Sequence, residues 1–178
     1  MPYLVTFVTF LCVLCLLNLM LTVGVIRRLR KHSEALASRS ADGRQAILTE
    51  GSVAPPYTTV ATDGSAVSSE LITEPVLVGF FSPGCDACHE AMPGFLDMAA
   101  KFPREQVLAV VVDQKGGLAG PQREQLEPVA RVVVEDMDGP VTSALRAQAF
   151  PVFALVGGGG RILASGLRLG QVVALARA

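Results

Sequence analysis

The chain has 178 residues, enough for about one domain plus an appendage, and a formal net charge of −1. From Gly51 onward, 9 Lys and Arg stand against 13 Asp and Glu, so that part carries about −4. With no basic stripe, nucleic-acid binding has no electrostatic support.

Hydrophobic residues make up 51% of the chain and mean hydropathy is +0.46, high for a soluble domain, and the excess is local. Tyr3 to Ile26 reads YLVTFVTFLCVLCLLNLMLTVGVI, without a charge. A helix needs about 20 apolar residues to cross a bilayer, so residues 3–26 are expected to form one uncleaved transmembrane helix in contact with membrane lipid. A cleaved signal peptide would want a basic start and a shorter apolar core, and only Met1 and Pro2 precede this run of about 24 residues. Cys12 and Cys15 share one face of this helix. The plain reading is two small apolar residues tolerated in lipid; the sharper one is electron relay with a membrane partner, or a dimer disulfide. Residues 27–52 are polar and Ala/Ser-rich and read as a juxtamembrane linker, with His32 solvated. Arg27, Arg28, Arg30 and Lys31 open that linker, and by the positive-inside rule they favour the cytoplasm for the C-terminal domain.

Residues 53–178 read as the folded domain. YTTVAT, Asp63-Gly64 and SAVSS form a hairpin signal. PVLVGFF (75–81) is an apolar run suited to a buried strand. After the turn SPG, CDACHEAMPGFLDMAAKF reads as a helix. QVLAVVVD (106–113) is a second buried strand, GGLAGPQREQLEP a loop with a short helix, and RVVVED (131–136) a third strand. Residues 140–148 suit a helix, PVFALVGGGGRILASG two strands around a glycine turn, and residues 169–178 a closing helix. The order ββ, β-α-β-α-β-α, β-hairpin, α argues for an α/β fold whose central sheet mixes parallel and antiparallel strands between flanking helices. Asp113 and Asp136 end strands and read as turn residues. Gly157–Gly160 lacks the context of a nucleotide-binding loop.

Cys85-Asp86-Ala87-Cys88-His89 carries the chemistry. C-x-x-C beside a βαβ pattern reads as a thiol–disulfide site, and C-x-x-C-H reads as a covalent haem site. Cys85 falls where a buried strand ends and a helix begins. Unpaired N–H groups and the helix dipole favour an anion there, and the thiolate is the reactive species. Cys85 is therefore the expected attacking thiol, and Cys88, one turn in, the buried resolving thiol. The Asp86 carboxylate opposes charge on a neighbouring thiolate, which tends toward a reducing pair. A protonated His89 offsets part of that. Pro93 lies inside the helix, where it removes a backbone bond and kinks the chain. Phe150-Pro151 opens an apolar strand about 60 residues on, and X–Pro bonds are the ones that adopt cis. A cis bond there would turn a strand-edge backbone toward the dithiol, ready to pair with a substrate peptide.

Strand–CxxC–helix, the helix proline and a Pro-led strand before a glycine-turn hairpin together resemble the thioredoxin fold. The anchor, APPYTTVATDGSAV, FFSPGCDACHEAMP and FPVFALVGGGGRILASG are similar, more narrowly, to the TlpA/MauD branch. The likeness runs from about Gly51 to Ala178 and loosely into the anchor. It implies dithiol–disulfide exchange with partner proteins that carry disulfides or thiols, with Cys85, Cys88 and Pro151 as the active-site set. It also implies a role in maturing or protecting extracytoplasmic proteins. The exchange needs no bound cofactor or metal, and a membrane electron donor is the expected further partner. That places the domain outside the cytoplasm, against the basic flank. Two positions depart from the pattern. Gly84, not Trp, precedes Cys85, and Gly79 stands where thioredoxins hold a buried acid that assists proton transfer.

Four other readings compete. A haem protein would use Cys85, Cys88 and His89 with Met92, Met98 or Met137 as second ligand, but β-rich runs surround the motif. A structural zinc site lacks a second ligand pair beyond the span. A peroxiredoxin-like peroxidase lacks its T-x-x-C. A membrane-tethered adaptor would leave the cysteines incidental.

Overall fold

The computed structural model describes residues 7, 12, 14, 15, 18, 20, 45–114 and 116–175. The chain divides into two compact units, Met1–Arg44 and Gln45–Ala178. In the first, Phe7, Cys12, Leu14, Cys15, Asn18 and Met20 are helical. The rest of the expected span 3–26 and the linker up to residue 44 lie outside the described residues. No helix among those described is long and apolar enough to cross a membrane.

The second unit opens with a hairpin of β1 (Thr58–Val60) and β2 (Ala66–Ser68). Gly64 takes a φ of +83° in its turn, and the Asp63 carboxylate accepts the Ser65 N–H at 2.8 Å. The main sheet contains β3 (Val76–Phe81), β4 (Val107–Val112), β5 (Arg131–Glu135), β6 (Val152–Val156) and β7 (Ile162–Gly166). Its order is β5-β4-β3-β6-β7. β3, β4 and β5 run parallel, while β6 is antiparallel to both β3 and β7. The helices are α1 (Asp86–Ala99), α2 (Gly120–Leu126), α3 (Pro140–Leu145) and α4 (Leu169–Leu175).

Every residue of β3, β4 and β6 is buried. That is why they read as continuous apolar runs rather than as alternations: both faces of the sheet are covered. Alternate residues feed two cores. Val78, Phe80, Leu108, Val110, Val112, Val152 and Ala154 meet Tyr57, Val67 and the α3 residues Val141 and Leu145. Leu77, Phe81, Ala109, Val111, Phe153 and Leu155 meet Cys88, Met92 and Phe95 of α1, Leu126 of α2 and Val172 of α4. Each large apolar side chain fully buried this way contributes about 1.5–3 kcal/mol.

The folded unit begins earlier than the expected boundary at residue 53. Ile47 and Leu48 are buried, the Leu48 N–H donates to the Leu145 carbonyl at 2.9 Å, and the Gln148 N–H donates to the Ala46 carbonyl at 2.8 Å. The polar composition of 27–52 hides this short apolar pair, so the end of the expected linker instead straps across α3.

Candidate active site

β3, the central strand, ends at Phe81, and Ser82-Pro83-Gly84 turn the chain into α1. Gly84 has a φ of +75°, a conformation that a side-chain-bearing residue adopts only with strain. Backbone geometry, then, accounts for a glycine in front of the first cysteine. Cys85 is the N-cap of α1, extended at φ −95° and ψ 110°, and its sulfur accepts the Cys88 N–H at 3.3 Å. A sulfur at this position takes up one of the unpaired donors of the first turn and sits at the positive end of the helix dipole.

The pairing of Phe80 with Val152 places the start of β6 beside the end of β3. The Phe150–Pro151 bond there is cis. Cys85 Sγ donates to the Phe150 carbonyl at 3.5 Å. Cys85, Phe150 and Pro151 are all half-buried, so the reacting sulfur and a strand-edge backbone share one accessible patch.

Cys88 differs. It is wholly buried. Desolvation first, then its hydrogen bond with Cys85, push its thiol from an ordinary 9.0 up to about 12, and a hydrogen bond from the Ser82 N–H acts in the opposite sense. Ser82 is tied down in turn: its hydroxyl donates to the Val112 carbonyl at 3.1 Å, and its carbonyl accepts the Cys85 N–H at 3.3 Å.

Asp86 and His89 are exposed on the first turns of α1. Pro93 is also exposed, and α1 continues through it to Ala99. His89, Met92, Pro93 and Leu96 form one wall of a cleft of about 380 Å³, with Pro121, Gln122 and Gln125 of α2 opposite.

Sequence reasoning missed Gln122. It is 5% exposed, its Nε2 donates to the Ser82 carbonyl at 3.3 Å, and its Oε1 is buried without a partner. The signal was helical spacing: Gln122 lies four residues before the buried Leu126, on the inward face of α2.

Gly79 departs from the thioredoxin pattern by lacking an acid, and packing explains the absence. A Cβ at this position would stand 2.7 Å from Phe95 Cε2 and 3.0 Å from Phe81 Cε2. Phe81, Phe95 and Phe153 form a closed aromatic trio, with ring centroids 5.0, 6.0 and 5.9 Å apart. The space behind the dithiol is filled with rings.

No family model and no curated protein matches the sequence. Solved structures do. The thioredoxin domain of a thiol-disulfide oxidoreductase from Bacteroides vulgatus is 26% identical at a TM-score of 0.58, over 73% of this chain and 96% of that one. A thiol:disulfide interchange protein from a Bacteroides species is 26% identical at 0.55, over 75% and 89%. StoA from Bacillus subtilis, 16% identical at 0.51 over 65% and 89%, shares the fold. With a CxxC at the strand-to-helix turn, a proline-led strand beside it, and this company of thiol-disulfide oxidoreductases, the chain belongs to the thioredoxin-like superfamily.

Proposed function

We propose that the protein is a membrane-anchored thiol-disulfide oxidoreductase of the TlpA/MauD type, working on partner proteins outside the cytoplasm. The observation that carries the chemistry is the unequal pair: Cys85 half-exposed at a helix N-terminus, Cys88 buried one turn behind it. Cys85 attacks a partner disulfide as thiolate, the partner's S–S bond breaks, and a mixed disulfide forms. Cys88 loses its proton and attacks Cys85 Sγ. The Cys85–Cys88 disulfide forms, and the partner thiolate leaves and takes up a proton. The dithiol is oxidised by two electrons and the partner disulfide reduced, with no bound cofactor. The half-buried Phe150–Pro151 backbone orients the partner chain beside Cys85. Asp86 next to the reacting sulfur favours the reducing direction, and a membrane electron donor restores the dithiol.

Burial of Cys88 weighs against covalent haem, which needs both sulfurs and His89 open to one large macrocycle. An adaptor with incidental cysteines has no use for one thiol held at a helix cap and another beneath it.

Trapping tests this reading. Cys88→Ser is expected to accumulate mixed disulfides with partner proteins that run as reducible bands, and Cys85→Ser to trap none. Absence of trapped species with Cys88→Ser, together with full function of Cys85→Ser in cells, would favour the adaptor. A reporter fused after Ala178 is expected to be active only outside the cytoplasm; activity confined to the cytoplasm would move the domain to the other side.

A further inference from the structure

We propose that the cleft between α1 and α2 is a side-chain subsite of the dithiol: it takes an uncharged, apolar residue of the partner polypeptide, about three positions from the partner's attacked cysteine. This rests on the dithiol reading above and adds a determinant of which partners are chosen.

The cleft is continuous with the reacting cysteine. Cys85, His89, Met92 and Leu96 recur at intervals of four, three and four, so they run down one face of α1. The last three belong to the α1 wall of the cleft. Its opposite wall is tied to the same cysteine. Gln122 is 5% exposed, and its Nε2 donates at 3.3 Å to the Ser82 carbonyl, which also accepts the Cys85 N–H at 3.3 Å. The Phe150–Pro151 backbone lies on the other flank of Cys85, ahead of β6, whereas α2 connects β4 to β5 on the far side of β3. A partner chain lying across Cys85 therefore meets a strand-edge backbone on one side and the cleft on the other.

Chemistry selects the occupant. Among the described residues, those lining the cleft carry no carboxylate, ammonium or guanidinium group, and His89 is the one that can be charged. Arg123, the cation of α2, pairs with Glu127 at 3.4 Å instead. A charged side chain entering the cleft would lose hydration without gaining a partner, while an apolar one gains by leaving water. The volume of about 380 Å³ is near the small end of ligand pockets, which run from about 300 to 1,000 Å³, and suits one large side chain with its flanking backbone.

Spacing sets the register. Met92 stands seven residues from Cys85, about 10 Å along the helix axis. An extended chain rises about 3.3 Å per residue, so about three residues carry a partner side chain from Cys85 to the level of Met92.

The test uses the full chain with Cys12→Ser and Cys15→Ser, so that one dithiol remains, and two neutral peptides. Each peptide carries one cysteine as its mixed disulfide with thionitrobenzoate. Three positions to either side of that cysteine, one peptide has Leu and the other Ser. Cys85 attacks the peptide sulfur as thiolate, the peptide–thionitrobenzoate S–S bond breaks, and thionitrobenzoate leaves as a coloured thiolate. Cys88 loses its proton and attacks Cys85 Sγ, the protein disulfide closes, and the peptide thiolate leaves and takes up a proton. The readout is the ratio of second-order rate constants for colour release, Leu over Ser, in which any change in the reactivity of Cys85 itself cancels. A ratio of about ten is expected for the parent, from partial burial of one Leu side chain. Leu96→Asp and Gln125→Glu each place a carboxylate in the cleft and are expected to lower the ratio to about three or less. Gln125 is exposed, so its variant guards against a Leu96 variant that fails to fold. A parent ratio near one would mean that the cleft takes something else, an acyl chain or a second copy of this protein, and would overturn the proposal. An unchanged ratio in either folded variant would overturn it too. Peptide left on Cys85 with no Cys85–Cys88 disulfide, read by mass, would instead refute the dithiol reading on which the proposal rests.

Discussion

Replacing Gly79 with alanine probes the packing behind the dithiol. Gly79 sits in mid-β3, opposite Ala109 of β4 and Phe153 of β6. Its backbone conformation is ordinary for a strand, so Ala there would by itself stabilise by about 0.5–1 kcal/mol. The space decides otherwise. The new methyl would stand 2.7 and 3.0 Å from two atoms of the Phe95 ring and 3.0 Å from Phe81. Phe95 has no exposed surface and is held edge-on by Phe81 at 5.0 Å and stacked on Phe153 at 5.9 Å, so it has nowhere to swing. Overpacking of this kind costs about 1–3 kcal/mol. Set against the propensity gain, a net loss of about 1–2 kcal/mol is expected. With a urea slope of about 1–3 kcal/mol/M, the unfolding midpoint should fall by roughly 0.3–2 M. Phe95→Leu removes the ring that clashes, so the double variant Gly79→Ala/Phe95→Leu should be more stable than the sum of the singles by at least about 0.5 kcal/mol. A Gly79→Ala protein as stable as the parent would refute the packing argument, and with it the explanation for the missing interior acid.

Further predictions concern the thiols and α3. In the folded, reduced chain near neutral pH, iodoacetamide should label Cys85 and spare Cys88, whose thiol is buried and held at about 12; equal labelling rates, read by peptide mass, would contradict the assigned roles. Cys88 and Tyr57 are both pushed up to about 12, from 9.0 and 10.0, chiefly by burial. Both hold their protons more tightly folded than unfolded, so their contribution to stability is complete below about pH 9 and is lost as pH rises toward about 12. The oxidised chain has no Cys88 proton to lose, so its urea midpoint should fall less between about pH 8 and pH 11 than that of the reduced chain; parallel losses in both redox states would contradict this. The Glu135 carboxylate accepts the Thr142 N–H and hydroxyl at 2.6 Å each and the Val141 N–H at 3.3 Å. Glu135→Ala leaves the first turn of α3 uncapped and should cost about 1–2 kcal/mol, visible as a lower urea midpoint, and no change would remove that capping role.

Much of the fold was legible in the chain. The apolar runs at 76–81, 107–112 and 152–156 suited strands, and the glycine-rich turn before residue 162 marked the closing hairpin. Cys85 and Cys88 were placed by their flanks, a strand before and a helix after. The hidden features depend on contacts between distant segments. The use of Ile47 and Leu48 as a strap over α3 is visible only once Leu145 and Gln148 are in place. Gly79 looked like a departure because its sequence neighbours do not reveal that Phe95, sixteen positions on, fills its side-chain space. Gln122 sits in a polar stretch, and its amide gains meaning only when the fold brings it to Ser82.

The central claim is that Cys85 and Cys88 form a working redox couple. The most direct test is a redox titration of the full chain carrying Cys12→Ser and Cys15→Ser, equilibrated in dithiol buffers, alkylated and read by mass. A reversible two-electron Cys85–Cys88 couple is expected, at about −270 mV or below. A couple near about −120 mV would reverse the proposed direction of electron flow, and the absence of any reversible couple would contradict the account as a whole.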